Sequence, residues 1–150
     1  MTADQLDALQ SKAPHSYLSS FSPLQVFQQH QNLIWQYQND AVLICDDALH
    51  VLAVNPAFQR ITGFCADEVV GQNVELWRSG LMNKRFYRQV AQTLEKNTIW
   101  QGEIWNRRKD GSVFPAFLTV CKQTVSPAVG CFVAIFRDLT AQKEAESHAH

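Results

Sequence analysis

The sequence predicts a single α+β domain: five antiparallel strands with helices on one face, an amphipathic helix ahead of them and a linker helix behind. Three observations carry this expectation. Two short apolar runs around a turn, Ala41 to Cys45 and His50 to Val54, read as a hairpin. The stretch that follows, from Pro56 to Glu95, carries helical signals. After Asn97 the apolar period changes to two, and three strands are legible at Trp100–Arg108, Ser112–Lys122 and Gly130–Asp138.

Taken in order, residues 1–21 mix small and polar types around Pro14 without a sustained period and read as a flexible leader. Ser22 can cap a helix with Pro23 at its first position. Leu24, Phe27, Gln31 and Ile34 then form one stripe, and Val26, His30, Leu33 and Tyr37 an adjacent one. Such a broad apolar face over residues 22–38 either covers the core or meets its twin in a homodimer through Leu24, Phe27, Leu33, Ile34 and Tyr37. Asp46-Asp47 turns the first hairpin, Pro56 opens a helix with Phe58 and Ile61 inward, and Gly63 stops it. Short helical pieces follow around Ala66 to Val70 and after Gly71, and Phe86, Val90 and Leu94 mark a longer helix over Met82–Glu95. Asp110-Gly111 signals the next hairpin. The polar, helix-prone tail leaves the sheet as a linker, so residues 39–140 are the core and 141–150 the linker helix.

Composition narrows the function. Thirteen basic and fourteen acidic residues nearly cancel, and the longest basic run is Arg107, Arg108, Lys109, so no nucleic-acid or anionic-membrane footprint is expected. A solvated strand end is the ordinary meaning of such a triplet, with anion binding the sharper one, and Glu103 is a candidate partner for Arg85 or Arg88. No apolar run approaches the ~20 residues of a membrane span, and the N-terminus lacks the order of a signal peptide. Cys45, Cys65, Cys121 and Cys131 have no CxxC spacing and read as free thiols of a cytoplasmic protein, a Cys121–Cys131 disulfide requiring their strands to pair. Paired carboxylates, a Ser/His/Asp set and a phosphate-cradling glycine loop are absent from the pattern, so an enzyme is not expected. His15, His30 and His50 read as satisfied or solvated imidazoles, with no metal site.

Asn55-Pro56-Ala57-Phe58, Ile61-Thr62-Gly63-Phe64 and Asp67-Glu68-Val69-Val70-Gly71-Gln72-Asn73 resemble the first half of bacterial PAS domains. Ser79-Gly80, Phe86-Tyr87, the run Trp100 to Ser112 and the closing Arg137-Asp138-Leu139-Thr140 resemble the second half. The resemblance covers about residues 37–142. It implies a PAS fold and a sensory or interaction module of a signalling protein, binding a small molecule or cofactor between sheet and helices. Asp138 and Thr140, at the exit of the last strand, are then the transmission point to the outgoing helix. A ligand-free homodimerisation scaffold is the alternative. An output domain beyond the linker, a kinase or a cyclic-di-GMP enzyme, is a further implication.

For the cavity, the resemblance aligns Asn106 with an asparagine that flavin-binding members hydrogen-bond to the isoalloxazine ring, admitting FAD or FMN and a flavin-based redox sensor. Trp77, Trp100 and Trp105 are candidate stacking surfaces, and Phe58, Ile61, Phe86, Val90 and Ile104 candidate walls. The adduct-forming cysteine of light-sensing members falls at Val74 and their last-strand glutamine at Phe136, so adduct photochemistry is not expected. Histidine-ligated haem is disfavoured too, because Met82–Glu95 contains no histidine.

Overall fold

The structure, a computed structural model, describes residues 35–126 and 129–148. The leader and most of the expected N-terminal helix lie outside these; residues 35–37 are helical, and a boundary after Gln38 separates them from the unit Asn39–His150 described below. Its elements are β1 (Ala41–Asp46), β2 (Val51–Val54), α1 (Pro56–Thr62), α2 (Ala66–Val69), a 3-10 turn (Val74–Trp77) and α3 (Lys84–Asn97). They continue as β3 (Ile99–Arg107), β4 (Val113–Ser126), β5 (Val129–Asp138) and α4 (Thr140–His148). The five strands form one antiparallel sheet in the order β2-β1-β5-β4-β3.

Alternation chooses the buried face. On β3, Ile104 and Asn106 are buried while Glu103, Trp105 and Arg107 face solvent. Leu43, Phe114 and Phe136 join the same core, into which the β2–β3 connection packs Phe58, Val69 and Trp77. The four helical pieces of that connection form the covering layer, while α4 departs past the opposite face, where Lys143 meets Glu103 at 3.1 Å. That ion pair replaces the Arg85 or Arg88 partner expected for Glu103, because β3 turns this carboxylate away from α3.

Asparagines start the helices. Asn55 is fully buried and N-caps α1: its Oδ1 accepts from Phe58 N at 3.0 Å and from Val42 N at 2.9 Å, while its Nδ2 donates to the Asp40 carbonyl at 3.1 Å. One side chain therefore joins the first strand, the end of the second and the first helix. Asn73 caps the 3-10 turn and Asn83 caps α3 in the same way. Gly63 ends α1 at φ 79°, a conformation that a side chain disfavours.

The far end of the sheet is fastened by Arg108. Its Nη1 donates to the Ile61 carbonyl, its Nη2 to Asp138 Oδ2 at 2.8 Å and to Thr140 Oγ1 at 3.2 Å, and its guanidinium lies 4.1 Å over the Phe114 ring. Asp138 Oδ1 accepts from the Thr140 amide at 2.9 Å and also from its hydroxyl, so the carboxylate caps α4 as it leaves β5. Burial alone would raise the Asp138 pKa, but the Thr140 hydrogen bonds and the Arg108 cation outweigh it and hold the carboxyl below its ordinary value. The basic triplet also makes structural contacts: Lys109 pairs with Glu68 at 2.8 Å and Arg107 reaches the Leu76 carbonyl, both from exposed positions. Cys121 and Cys131 are free; their strands pair, but the register sets Cys121 opposite Val133 and Cys131 opposite Gln123.

Two consequences are measurable. Asn55→Ala strands the buried Val42 amide, removes the donor to the Asp40 carbonyl and weakens the α1 cap, and should lower unfolding free energy by about 2–4 kcal/mol, read as a reduced urea midpoint at unchanged slope. For Asp138 the folded pKa lies below the unfolded value of roughly 3.9, so its stabilisation is complete above that pH and is lost as pH falls through the folded value. The difference in urea midpoint between wild type and Asp138→Asn should be constant near neutrality and shrink in acid; a pH-independent difference would contradict the assignment.

Candidate functional site

Between the sheet and its helical cover lies a cavity of about 290 Å³. Its floor comes from inward positions of the sheet: Leu43 and Cys45 on β1, Leu118 and Val120 on β4, Phe132 and Ala134 on β5. Ile104 and Asn106 of β3 and Phe136 of β5 complete it. The roof is α3, where Tyr87, Val90, Ala91 and Leu94 recur at helical spacing, together with Val74, Trp77 and Arg78 of the 3-10 segment. Asp47 and Leu49 of the β1–β2 turn close one end, Leu49 in a left-handed conformation at φ 67°.

The 3-10 segment crosses the sheet from edge to edge. Asn73 bridges to His50 beside β2, and Arg78 bridges antiparallel to Asn106 on β3. The second bridge brings Arg78 and Asn106 together on the cavity wall. Arg78 also lies 3.8 Å over the Tyr87 ring and donates to Glu75 at 3.3 Å. Tyr87 has a pKa raised by burial, against the opposing pull of Arg78, so its hydroxyl stays protonated. Asn106 is 4% exposed, and its carboxamide, open to the cavity, makes no hydrogen bond to the described residues. Burial pushes the Cys45 thiol up to about 11, helped by Asp46 and Cys131, so this wall residue is no thiolate nucleophile. Among the described residues no three His, Cys, Asp or Glu side chains gather as a metal site.

Of the residues expected at the cavity, Asn106, Trp77, Val90 and Ile104 line it. Phe58, Ile61 and Phe86 do not. Phe58 is fully buried between Trp77 and Phe136, with ring centroids 5.2 and 5.9 Å away, and fills solid core. Ile61 ends α1 and offers its carbonyl to Arg108. Phe86 lies one step round α3 from the lining stripe and packs edge-on against Trp100 at 5.6 Å. Trp100 lies over Gly102, where an added Cβ would sit 2.8 Å from the indole, and Trp105, of opposite parity to Asn106, faces outward at 42% exposure. Val74 and Phe136 are on the wall. Tyr87, Leu118 and Val120 were discoverable from periodicity; Arg78 was not, because only the long-range bridge to Asn106 brings it in. Leu24, Phe27, Leu33 and Ile34 lie outside the described residues, and Tyr37 is exposed.

The PAS domain family matches residues 39–141. The chain is 30% identical over 90 residues to a nitrogen fixation regulatory protein of Klebsiella oxytoca, covering 58% of this chain and 18% of that protein. It is 33% identical over 117 residues to the signal transduction histidine-protein kinase AtoS of Escherichia coli, covering 77% of this chain and 19% of the kinase. The chain thus spans about a fifth of the length of these curated relatives. Among solved structures, a PAS domain from Colwellia psychrerythraea superposes with a TM-score of 0.71 at 20% identity, over 77% of this chain and 98% of that one. The LOV domain of a blue-light activated histidine kinase from Erythrobacter litoralis gives 0.59 at 24% identity, over 67% and 96%. Both share the fold. With that family matching residues 39–141, more than half of the chain, the chain belongs to the PAS domain family.

Proposed function

We propose that this domain is the sensory module of a cytoplasmic signalling protein, binding a small organic molecule in the cavity and passing its occupancy to α4 through Asp138 and Thr140. The observation that carries the reading is a mostly apolar cavity containing one carboxamide, Asn106, that is unpaired among the described residues. The floor and the exit share a strand: Phe132, Ala134 and Phe136 line the cavity, and Asp138 is two residues on. A ligand that prefers one sheet–helix arrangement shifts the population of helix positions by its differential affinity. The likeness to sensor kinases supports an output domain joined after α4, and the domain itself acts without catalysis.

Flavin is a second reading, favoured by Asn106 alone, since a carboxamide complements the carbonyl and N–H edge of an isoalloxazine. It competes with the volume, which falls just below the roughly 300–1,000 Å³ usual for ligand pockets. Adduct chemistry has no support, Val74 being hydrocarbon and Cys45 held protonated.

Indole should bind the purified chain, and Val90→Trp, which fills the cavity, should abolish binding while leaving a cooperative urea transition. Amides 141–148 should change their hydrogen-exchange rates when indole is bound; unchanged rates would sink the transmission step. A chain that binds nothing but dimerises, with Phe27→Asp dissolving the dimer, would instead favour a scaffold. A yellow protein that releases a fluorescent flavin on denaturation would favour the second reading.

A further inference from the structure

Resting on that reading of the cavity as a ligand site, we infer that its ligand is a small organic acid, with an apolar body among Leu43, Val120, Phe132, Val90 and Leu94 and its carboxylate held by Arg78 and Asn106. The polarity of the walls is one-sided. Hydrocarbon makes the floor and roof, while three hydrogen-bonding side chains, Arg78, Tyr87 and Asn106, gather at the β3 edge. The antiparallel Arg78–Asn106 bridge sets their Cα atoms roughly 4.5–5.5 Å apart with both side chains on one face. The Arg78 guanidinium is fixed over Tyr87.

Each group still has capacity. Asn106 is more than nine-tenths buried, and its carboxamide, unpaired among the described residues, opens onto the cavity with its donors and acceptor available to an occupant. Among the described residues Arg78 gives only Nη1, to Glu75, whose side chain is 69% exposed, so that pair is weak and the other donors remain available. Tyr87 contributes a protonated hydroxyl. All three offer donors, the complement of a carboxylate.

The other charged group on the wall, Asp47, does not cancel Arg78. It belongs to the β1–β2 turn, whereas Arg78 is bridged to Asn106 on the far edge strand β3 and makes its ion pair with Glu75. Its volume, about ten times the roughly 30 Å³ share of one water molecule, suits an acid of modest size.

The test compares 3-phenylpropionate and hexanoate with their amides and alcohols, titrated calorimetrically into the 150-residue chain at neutral pH. The acids should bind about ten- to a hundredfold more tightly than the alcohols. Arg78→Met should erase that preference by weakening the acids more than the alcohols, and Arg78→Lys, which keeps the charge, should retain part of it. Asn106→Leu should weaken the acids and amides together. Equal binding of acid and alcohol, or an acid preference that survives Arg78→Met, would overturn the inference while leaving the ligand site standing. If none of the six compounds nor indole binds, both the inference and the ligand-site reading fall.

Discussion

Three hydrogen bonds from the buried side chain of Asn55 hold the Asp40 carbonyl, the Val42 amide and the first turn of α1 in one geometry. Everything between β2 and β3 hangs from that junction, because α1 begins the crossover that roofs the cavity. The carboxamide is suited to this place: it has both an acceptor and donors, it carries no charge to desolvate, and its reach matches a helix start. An aspartate would keep the acceptor and lose the donor, at the cost of a buried charge.

Arg108 plays the matching part at the opposite end. A guanidinium can address a carbonyl, a carboxylate and a hydroxyl at once while its face rests on an aromatic ring, which a lysine cannot do. The crossover, the last strand and the outgoing helix are therefore joined through one rigid plane of donors. Between the Asn55 and Arg108 junctions the inner sheet face is free to hold a cavity, because the ends of the layer are already fastened.

Strand alternation, proline and glycine positions, and asparagine caps are local signals, and the strands and helices read from them between residues 41 and 148 agree with the structure to within a few residues. Periodicity also identifies the inward side of each element. It does not say whether an inward side chain meets another or faces a void, which is why Phe58 and Phe86 looked like cavity walls, whereas Phe58 fills the core and Phe86, half-buried, packs on Trp100. The Arg107 to Lys109 run is solvated at Arg107 and Lys109, as expected, but its contacts were not legible. The β3–β4 loop curls back over α1 and α2, giving each cation a partner distant in sequence. Arg78 lay hidden because its significance comes entirely from pairing with Asn106.

Trp100 resting on Gly102 makes a single unit of two positions on β3. The indole occupies the space a side chain at 102 would need, and in turn braces Phe86 and with it the register of α3. Variation at the two sites is consequently coupled: among descendants of this sequence a methyl group at 102 is compatible only with a smaller or displaced neighbour at 100. The α3 helix, and the roof it forms, would have to find another support.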